Sequence, residues 1–266
     1  MLETLDTSQP GSKASAYVLG VRVDRLSQKQ ALTSIMQMIE QYRTSHDSEK
    51  PLPCQQVVTV NPEFVMAAQH NAEFRQCINQ AALVVPDGTG VVWATRYLGT
   101  PVPERVTGTD ILVELARCCA EKGYRLYLLG AAPGVAEAAA ARLQEIAPGL
   151  QIAGTYAGSP APAEEDAILE RIRVAQADVL CVAYGAPAQE LWIYRNLTRL
   201  PVAVAMGVGG AYDFLSGRQL RAPLFMQRLG LEWLFRFYRE PSRWRRMFVA
   251  VPQFTLQVLV KGRRNT

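Results

Sequence analysis

Short apolar runs that stop abruptly at small, polar or charged residues, each followed by a stretch of helical length, recur through most of this chain. QVVTVNPEF, LVVPDGTGVVW and VLCVAYGAPAQE show the pattern most clearly. Strands are expected near Tyr17–Val23, Gln55–Val60, Ala82–Val85, Arg125–Leu129, Gln151–Tyr156, Val179–Ala183 and Val202–Met206. Helices are expected around Ser27–Arg43, Glu63–Asn79, Thr89–Leu98, Thr109–Lys122, Gly134–Ile146, Ala163–Ala175 and Ala188–Arg199. In the first of these, Ala31, Ile35, Met38 and Ile39 share a face. The stretch Thr44–Pro53 reads as loop. Strands separated by helices of this length predict a doubly wound, mostly parallel α/β sheet.

Ligands of such a sheet bind in the crevice beyond the carboxyl ends of its strands, as in Rossmann-like folds. Thr59, Asn61, Asp87, Arg105 and Gln189 all fall at turns after apolar runs, so they are expected to share one edge. Each has a structural reading beside the functional one. Asp87 in PDGTG is a turn carboxylate, or a general base for a sugar hydroxyl within hydrogen-bond reach. Asn61 before Pro62 is a helix N-cap, or an amide aimed at substrate. Arg105 pairs with Glu104 or Asp110, or holds a phosphate with its guanidinium fork. Two glycine-bearing turns, Gly130–Gly134 and Gly207–Asp213 with Gly209 and Gly210, could offer backbone amides to a phosphate or ribose. Neither is the dinucleotide fingerprint, which disfavours a nicotinamide-dependent oxidoreductase.

The 266 residues suffice for one large α/β domain plus an appendage. Apolar residues at 49% and a mean hydropathy near zero exclude an intrinsically disordered chain. The best candidate for a membrane span, Met247–Val260, is too short and contains Pro252 and Gln253. No secretory signal is read at the N-terminus, so the cytosol is the expected compartment. Five cysteines (Cys54, Cys77, Cys118, Cys119, Cys181) without C-x-x-C spacing predict free thiols. His46 and His70 have no paired ligand spacing, so no zinc or other metal site is expected.

Charge is divided unevenly. Arg218–Thr266 holds eleven of the 28 Lys/Arg and two of the 24 Asp/Glu, whereas the whole chain nets only +4. An anionic partner for the tail follows. Arg228, Glu232, Arg236, Arg239, Arg243 and Arg246 recur at three- or four-residue steps, a basic stripe with one acid, among Leu231, Trp233, Leu234, Phe235, Phe237 and Trp244, with Pro241 as an interruption. The structural reading is a helix docked on the core. The functional one is an element lying on anionic lipid, ranked above nucleic acid because no nucleic-acid-binding module accompanies it. The expected organisation is a disordered 1–15, an α/β core over 16–217 and a basic helical appendage over 218–266.

Taken together, TVNPE, PDGTGVVW, ERVTGTD, LLGAAPG, GAPAQE, GVGGAYDFLSG and PSRWRR resemble, in order, the motifs of the WecG/TagA/CpsF glycosyltransferase family. The resemblance implies inverting transfer of a sugar from a UDP donor to a polyprenyl-diphosphate-linked acceptor during cell-surface polysaccharide synthesis. N-acetylmannosamine, its uronic acid or glucose are the implied donors' sugars. It further implies a peripheral enzyme on the inner face of the plasma membrane. By matching motif, Asp87 is the implied base and Arg105 stabilises the leaving diphosphate. Thr59, Asn61 and Gln189 position substrate, and Asp213 contacts the uridine portion. Arg236, Arg243 and Arg246 complete the site at the membrane. With no D-x-D motif, charge compensation is expected from arginines and backbone amides, without an obligatory metal or cofactor. A homo-oligomer is compatible with this reading. The alternative is a non-catalytic nucleotide-binding membrane scaffold.

Overall fold

The computed structural model describes residues 15–45, 52–223, 225–226, 234–235 and 244–261. Six strands make one all-parallel sheet: β3 (Gln55–Val60), β4 (Leu83–Pro86), β5 (Arg125–Gly130), β6 (Gln151–Tyr156), β7 (Val179–Ala183) and β8 (Val204–Gly207). Their spatial order is β4-β3-β8-β7-β5-β6. The doubly wound sheet expected from the alternation is therefore present, with every carboxyl end on one edge.

Helices cover both faces because the strands are apolar on both. On one face α1 (Gln28–Ser45), α5 (Gly108–Lys122), α6 (Val135–Ile146) and α9 (Ala211–Leu215) pack on Val57, Val85, Leu128, Cys181 and Met206. On the other, α2 (Pro62–His70), α3 (Ala72–Gln80) and α4 (Thr89–Tyr97) cover Val58, Val60 and Val84. There α7 (Glu165–Ala175) and α8 (Ala188–Asn196) cover Leu129, Leu180, Val182 and Ala205. The alternation along each strand, Val57 to one side and Val58 to the other, is the period-2 pattern of a pleated sheet.

The structure departs from expectation at the first strand. Tyr17–Val23 is not one strand but a hairpin, β1 (Ser15–Val18) and β2 (Val21–Asp24). Leu19 and Gly20 both have positive φ, 51° and 80°, the signature of the two-residue turn whose twist suits paired strands. The hairpin guards the β4 edge: Asp24, 3% exposed, accepts the Val84 N–H at 2.9 Å and pairs with Arg22. Ser15, expected in the disordered segment, is the first residue of β1; residues 1–14 lie outside the described residues.

At the tail, the described residues fit the structural reading of a helix docked on the core. Helix α10 (Trp244–Lys261) contains Pro252 and runs against α2 and α4. Its Phe254 and Val258 are 1% and 0% exposed and join the α2–α4 cluster. The end of the expected appendage is thus part of the core. No helix among the described residues is long and apolar enough to cross a membrane.

Candidate active site

Asp87 follows β4 directly, and its N–H donates to the Val60 carbonyl at 2.7 Å, tying the ends of β4 and β3 together. Its carboxylate Oδ2 accepts the Gly108 N–H at 3.5 Å. Gly108 is the first residue of α5, whose opening N–H groups have no partner within the helix. A helix N-terminus favours negative charge, which suits the start of α5 to face a carboxyl group. Thr59 lies alongside: a methyl on Gly108 would sit 3.5 Å from its Oγ1. Thr59 is 7% exposed and makes no hydrogen bond through its hydroxyl among the described residues.

Asn61 fulfils its structural reading as a helix N-cap. Its Oδ1 caps α2 by accepting the Phe64 N–H at 3.0 Å, while its Nδ2 makes no hydrogen bond among the described residues. Gly88 of PDGTG packs on it, with a methyl there falling 3.7 Å from Asn61 Cβ. A methyl at Gly90 would lie 2.8 Å from Pro62 Cγ and 3.7 Å from the Phe254 ring, so α10 reaches the same loop.

The loop from α4 to α5 carries half-buried Arg105. Both acids expected as its partners have other bonds. Glu104 accepts the Gln28 N–H at 2.7 Å. Asp110 is held by both Arg221 Nη atoms at 2.6 and 3.0 Å and accepts the Thr107 hydroxyl at 2.7 Å. Burial alone would raise the Asp110 carboxyl. The Arg221 and Thr107 hydrogen bonds, with the Arg221 and Arg105 charges, outweigh it and hold the group below the usual carboxylate range. Thr107 also caps α5, accepting the Asp110 N–H at 3.1 Å.

The residues expected after β5, β7 and β8 have different surroundings. Gln189, 2% exposed, spends its oxygen and one N–H on the protein: Oε1 accepts the N–H of Gly185 and Gly209, and Nε2 donates to Glu190. The Gly209 N–H is therefore already taken. Gly130 has a steric reason to be glycine, since a methyl there would lie 2.7 Å from the Ala183 carbonyl carbon. Gly210 precedes α9 with open space around it. The carboxylate of half-buried Asp213 on α9 meets no partner among the described residues. Thr59, Asn61, Asp87 and Arg105 thus gather at the β3–β4 end, and Gln189, Gly209, Gly210 and Asp213 at the β7–β8 end. The strand spacing makes the crevice from β4 to β7 about 15 Å wide.

Arg236 and Arg243 lie outside the described residues, and Arg246 falls in α10 where only the backbone is described. Sequence reasoning missed Glu190, a 0% exposed acid next to Gln189. All five cysteines are free, and burial pushes the thiols of Cys54, Cys77 and Cys181 up to about 12.

A family model described as "Glycosyl transferase WecG/TagA/CpsF family" matches residues 16–266. Two relatives are named N-acetylglucosaminyldiphosphoundecaprenol N-acetyl-beta-D-mannosaminyltransferase. The Bacillus spizizenii protein is 35% identical over 209 residues, 79% of this chain and 80% of its own. The Staphylococcus aureus protein is 30% identical over 265 residues, 98% of each. With the motifs of the whole core in place on one sheet edge, the chain belongs to the WecG/TagA/CpsF glycosyltransferase family and is a glycosyltransferase.

Proposed function

We propose that this enzyme moves a sugar of the N-acetylmannosamine type, its uronic acid or glucose from a UDP donor to N-acetylglucosamine on a polyprenyl diphosphate, with inversion. The names of the relatives support the lipid-linked acceptor and favour N-acetylmannosamine among the three sugars. One observation carries the chemistry: an acid at a strand end, held by the first N–H of α5, with an unengaged hydroxyl and an amide nitrogen beside it. In the proposed step Asp87 takes the proton of the acceptor hydroxyl as its oxygen attacks the anomeric carbon. The bond to the β-phosphate oxygen breaks, and UDP leaves with the electron pair. Thr59 and Asn61 Nδ2 orient the sugars, and Arg105 faces the growing diphosphate charge. Asp213 binds the uridine portion, and Gln189 acts by shaping the wall around it.

The reading assigns charge compensation to arginines and needs no metal, so turnover is expected to persist in a chelator. It places the enzyme peripherally on the inner face of the membrane, where the basic tail meets anionic lipid. The test is Asp87→Asn, measured by UDP release and by sugar transfer to a synthetic lipid acceptor. Loss of a general base lowers turnover by roughly 100- to 10,000-fold with UDP affinity and thermal unfolding close to wild type. Undiminished turnover would remove Asp87 as the base. Absence of any transfer by the wild-type chain with several UDP-sugars would favour a non-catalytic scaffold instead.

A further inference from the structure

Gln189 and Glu190 open α8 and are both enclosed, 2% and 0% exposed. Gln189 Oε1 accepts the Gly185 N–H at 3.0 Å and the Gly209 N–H at 3.2 Å, so one oxygen fastens the loop after β7 to the loop after β8. Its Nε2 donates to Glu190 Oε1 at 2.6 Å. An amide can be turned either way in the same space. Turned over, the Gln189 NH2 would face two N–H donors and leave both unmatched, at the cost of buried unsatisfied groups. The acceptor at Glu190 selects the orientation that closes the clamp.

The surroundings of Glu190 are neutral. Gln56 Nε2 from β3 and Cys77 Sγ from α3 both donate to its backbone carbonyl, at 3.0 and 3.4 Å. Gly207 of β8 closes over it: a methyl there would lie 2.3 Å from Glu190 Oε1 and 2.4 Å from Gln189 Nε2. No ion pair joins Glu190 among the described residues, and its Oε2 is buried without a hydrogen-bond partner. A carboxylate there would lack a counter-charge and leave Oε2 without a donor, whereas a neutral acid leaves one O–H unmatched, a far smaller penalty.

We propose that Glu190 is a positioning residue that acts as a neutral carboxylic acid, orienting the Gln189 amide so that it locks together the two loops bordering the nucleotide side of the crevice. The functional half of this rests on the glycosyl-transfer reading; the clamp itself does not. Burial pushes the Glu190 carboxyl up to about 8, opposed by hydrogen bonds from the Gln189 side chain and the Glu190 backbone. The titratable group facing it, Cys77, stays neutral over the same range because burial raises its thiol to about 12. The native state therefore holds a proton that the unfolded chain releases near the usual glutamate value of 4.5. Stability falls as pH rises from that value to about 8 and levels off above.

The experiment compares the full-length wild type with Glu190→Gln and Glu190→Met. It reads urea unfolding across that pH range, amide exchange of Gly185 and Gly209 by NMR at neutral pH, and UDP affinity by calorimetry on either side of pH 8. Wild type is expected to lose stability with rising pH and UDP affinity above pH 8. Glu190→Gln keeps both glycine amides protected and flattens both pH profiles. Glu190→Met, which has no acceptor to hold the amide, exchanges both amides about tenfold faster and binds UDP about tenfold more weakly, the scale set by losing one or two buried hydrogen bonds. Identical pH profiles for wild type and Glu190→Gln overturn the proposal, as does unchanged exchange in Glu190→Met. If that variant does not fold, the pH comparison decides alone. A chain that never binds UDP but shows the exchange and stability effects would refute the transferase reading and keep the clamp.

Discussion

The Asn61 side chain caps the first turn of α2 with its oxygen, while its nitrogen makes no hydrogen bond among the described residues. Aspartate caps helices about as well as asparagine but has no N–H to donate. Asn61→Asp is therefore expected to unfold in urea within about 0.5 kcal/mol of wild type while donor-sugar KM rises about tenfold, and Asn61→Ala to lose about 1 kcal/mol as well. Equal KM for all three chains would reduce Asn61 to a cap. At this scale the sequence was informative about which residues meet at a strand end: Asp87, Thr59 and Asn61 are neighbours at the β3–β4 end. It was silent on Glu190, because an acid in the first turn of a helix ordinarily reads as a solvated charge. The burial comes from Gly207 of β8, seventeen positions on, which leaves room for the side chain. Gln189 was legible as a strand-end residue, yet its partners on Gly185 and Gly209 depend on two loops meeting.

Elements that rest on a long periodic pattern were readable, and those set by turn chemistry were not. The helix expected over Glu63–Asn79 is two helices, because Asn71 at φ −135° leaves the helical region and caps α3 through the Phe74 N–H at 2.9 Å. The Leu19–Gly20 turn lacks the Asn-Gly or Asp-Gly signal that usually announces a hairpin. The stripe read as helical, Arg228–Arg246, reaches α10 only at its first turn, and the apolar residues of α10 decide its position. Phe254 lies near Gly90, so α10 supports the PDGTG loop as well as the core. Phe254→Ala removes a fully buried ring and is expected to cost about 3–5 kcal/mol in urea unfolding. Turnover is expected to fall even at temperatures where the variant stays folded, since Gly90 and Pro62 lose a wall. A variant as active as wild type while folded would confine α10 to stability.

Over the whole molecule the boundary in charge and the boundary in packing do not coincide. Arg218–Thr266 carries eleven basic and two acidic residues, which marks it as separate by composition. Yet Arg221 is fastened to Asp110 at the start of α5, and Phe254 and Val258 are buried against α2 and α4. Cutting the chain before Arg218 would withdraw both apolar side chains from the cluster, on the order of 3–6 kcal/mol of burial, against about 5–15 kcal/mol for a typical domain. Lost activity in such a fragment would report unfolding together with lost membrane contact. Neutralising Arg236, Arg243 and Arg246 to glutamine in the full chain separates the two, because Phe254 and Val258 remain. Each basic group near an anionic leaflet contributes about 1 kcal/mol, so partition onto phosphatidylserine vesicles is expected to drop about 100-fold in the triple variant. The gap between variant and wild type should narrow as salt shortens the Debye length, and partition onto uncharged phosphatidylcholine vesicles should be alike for both. Equal sedimentation of the two proteins with anionic vesicles at low salt would remove these arginines from membrane recruitment and leave the exposed Leu256, Leu259 and Val260 of α10 as the contact to mutate next.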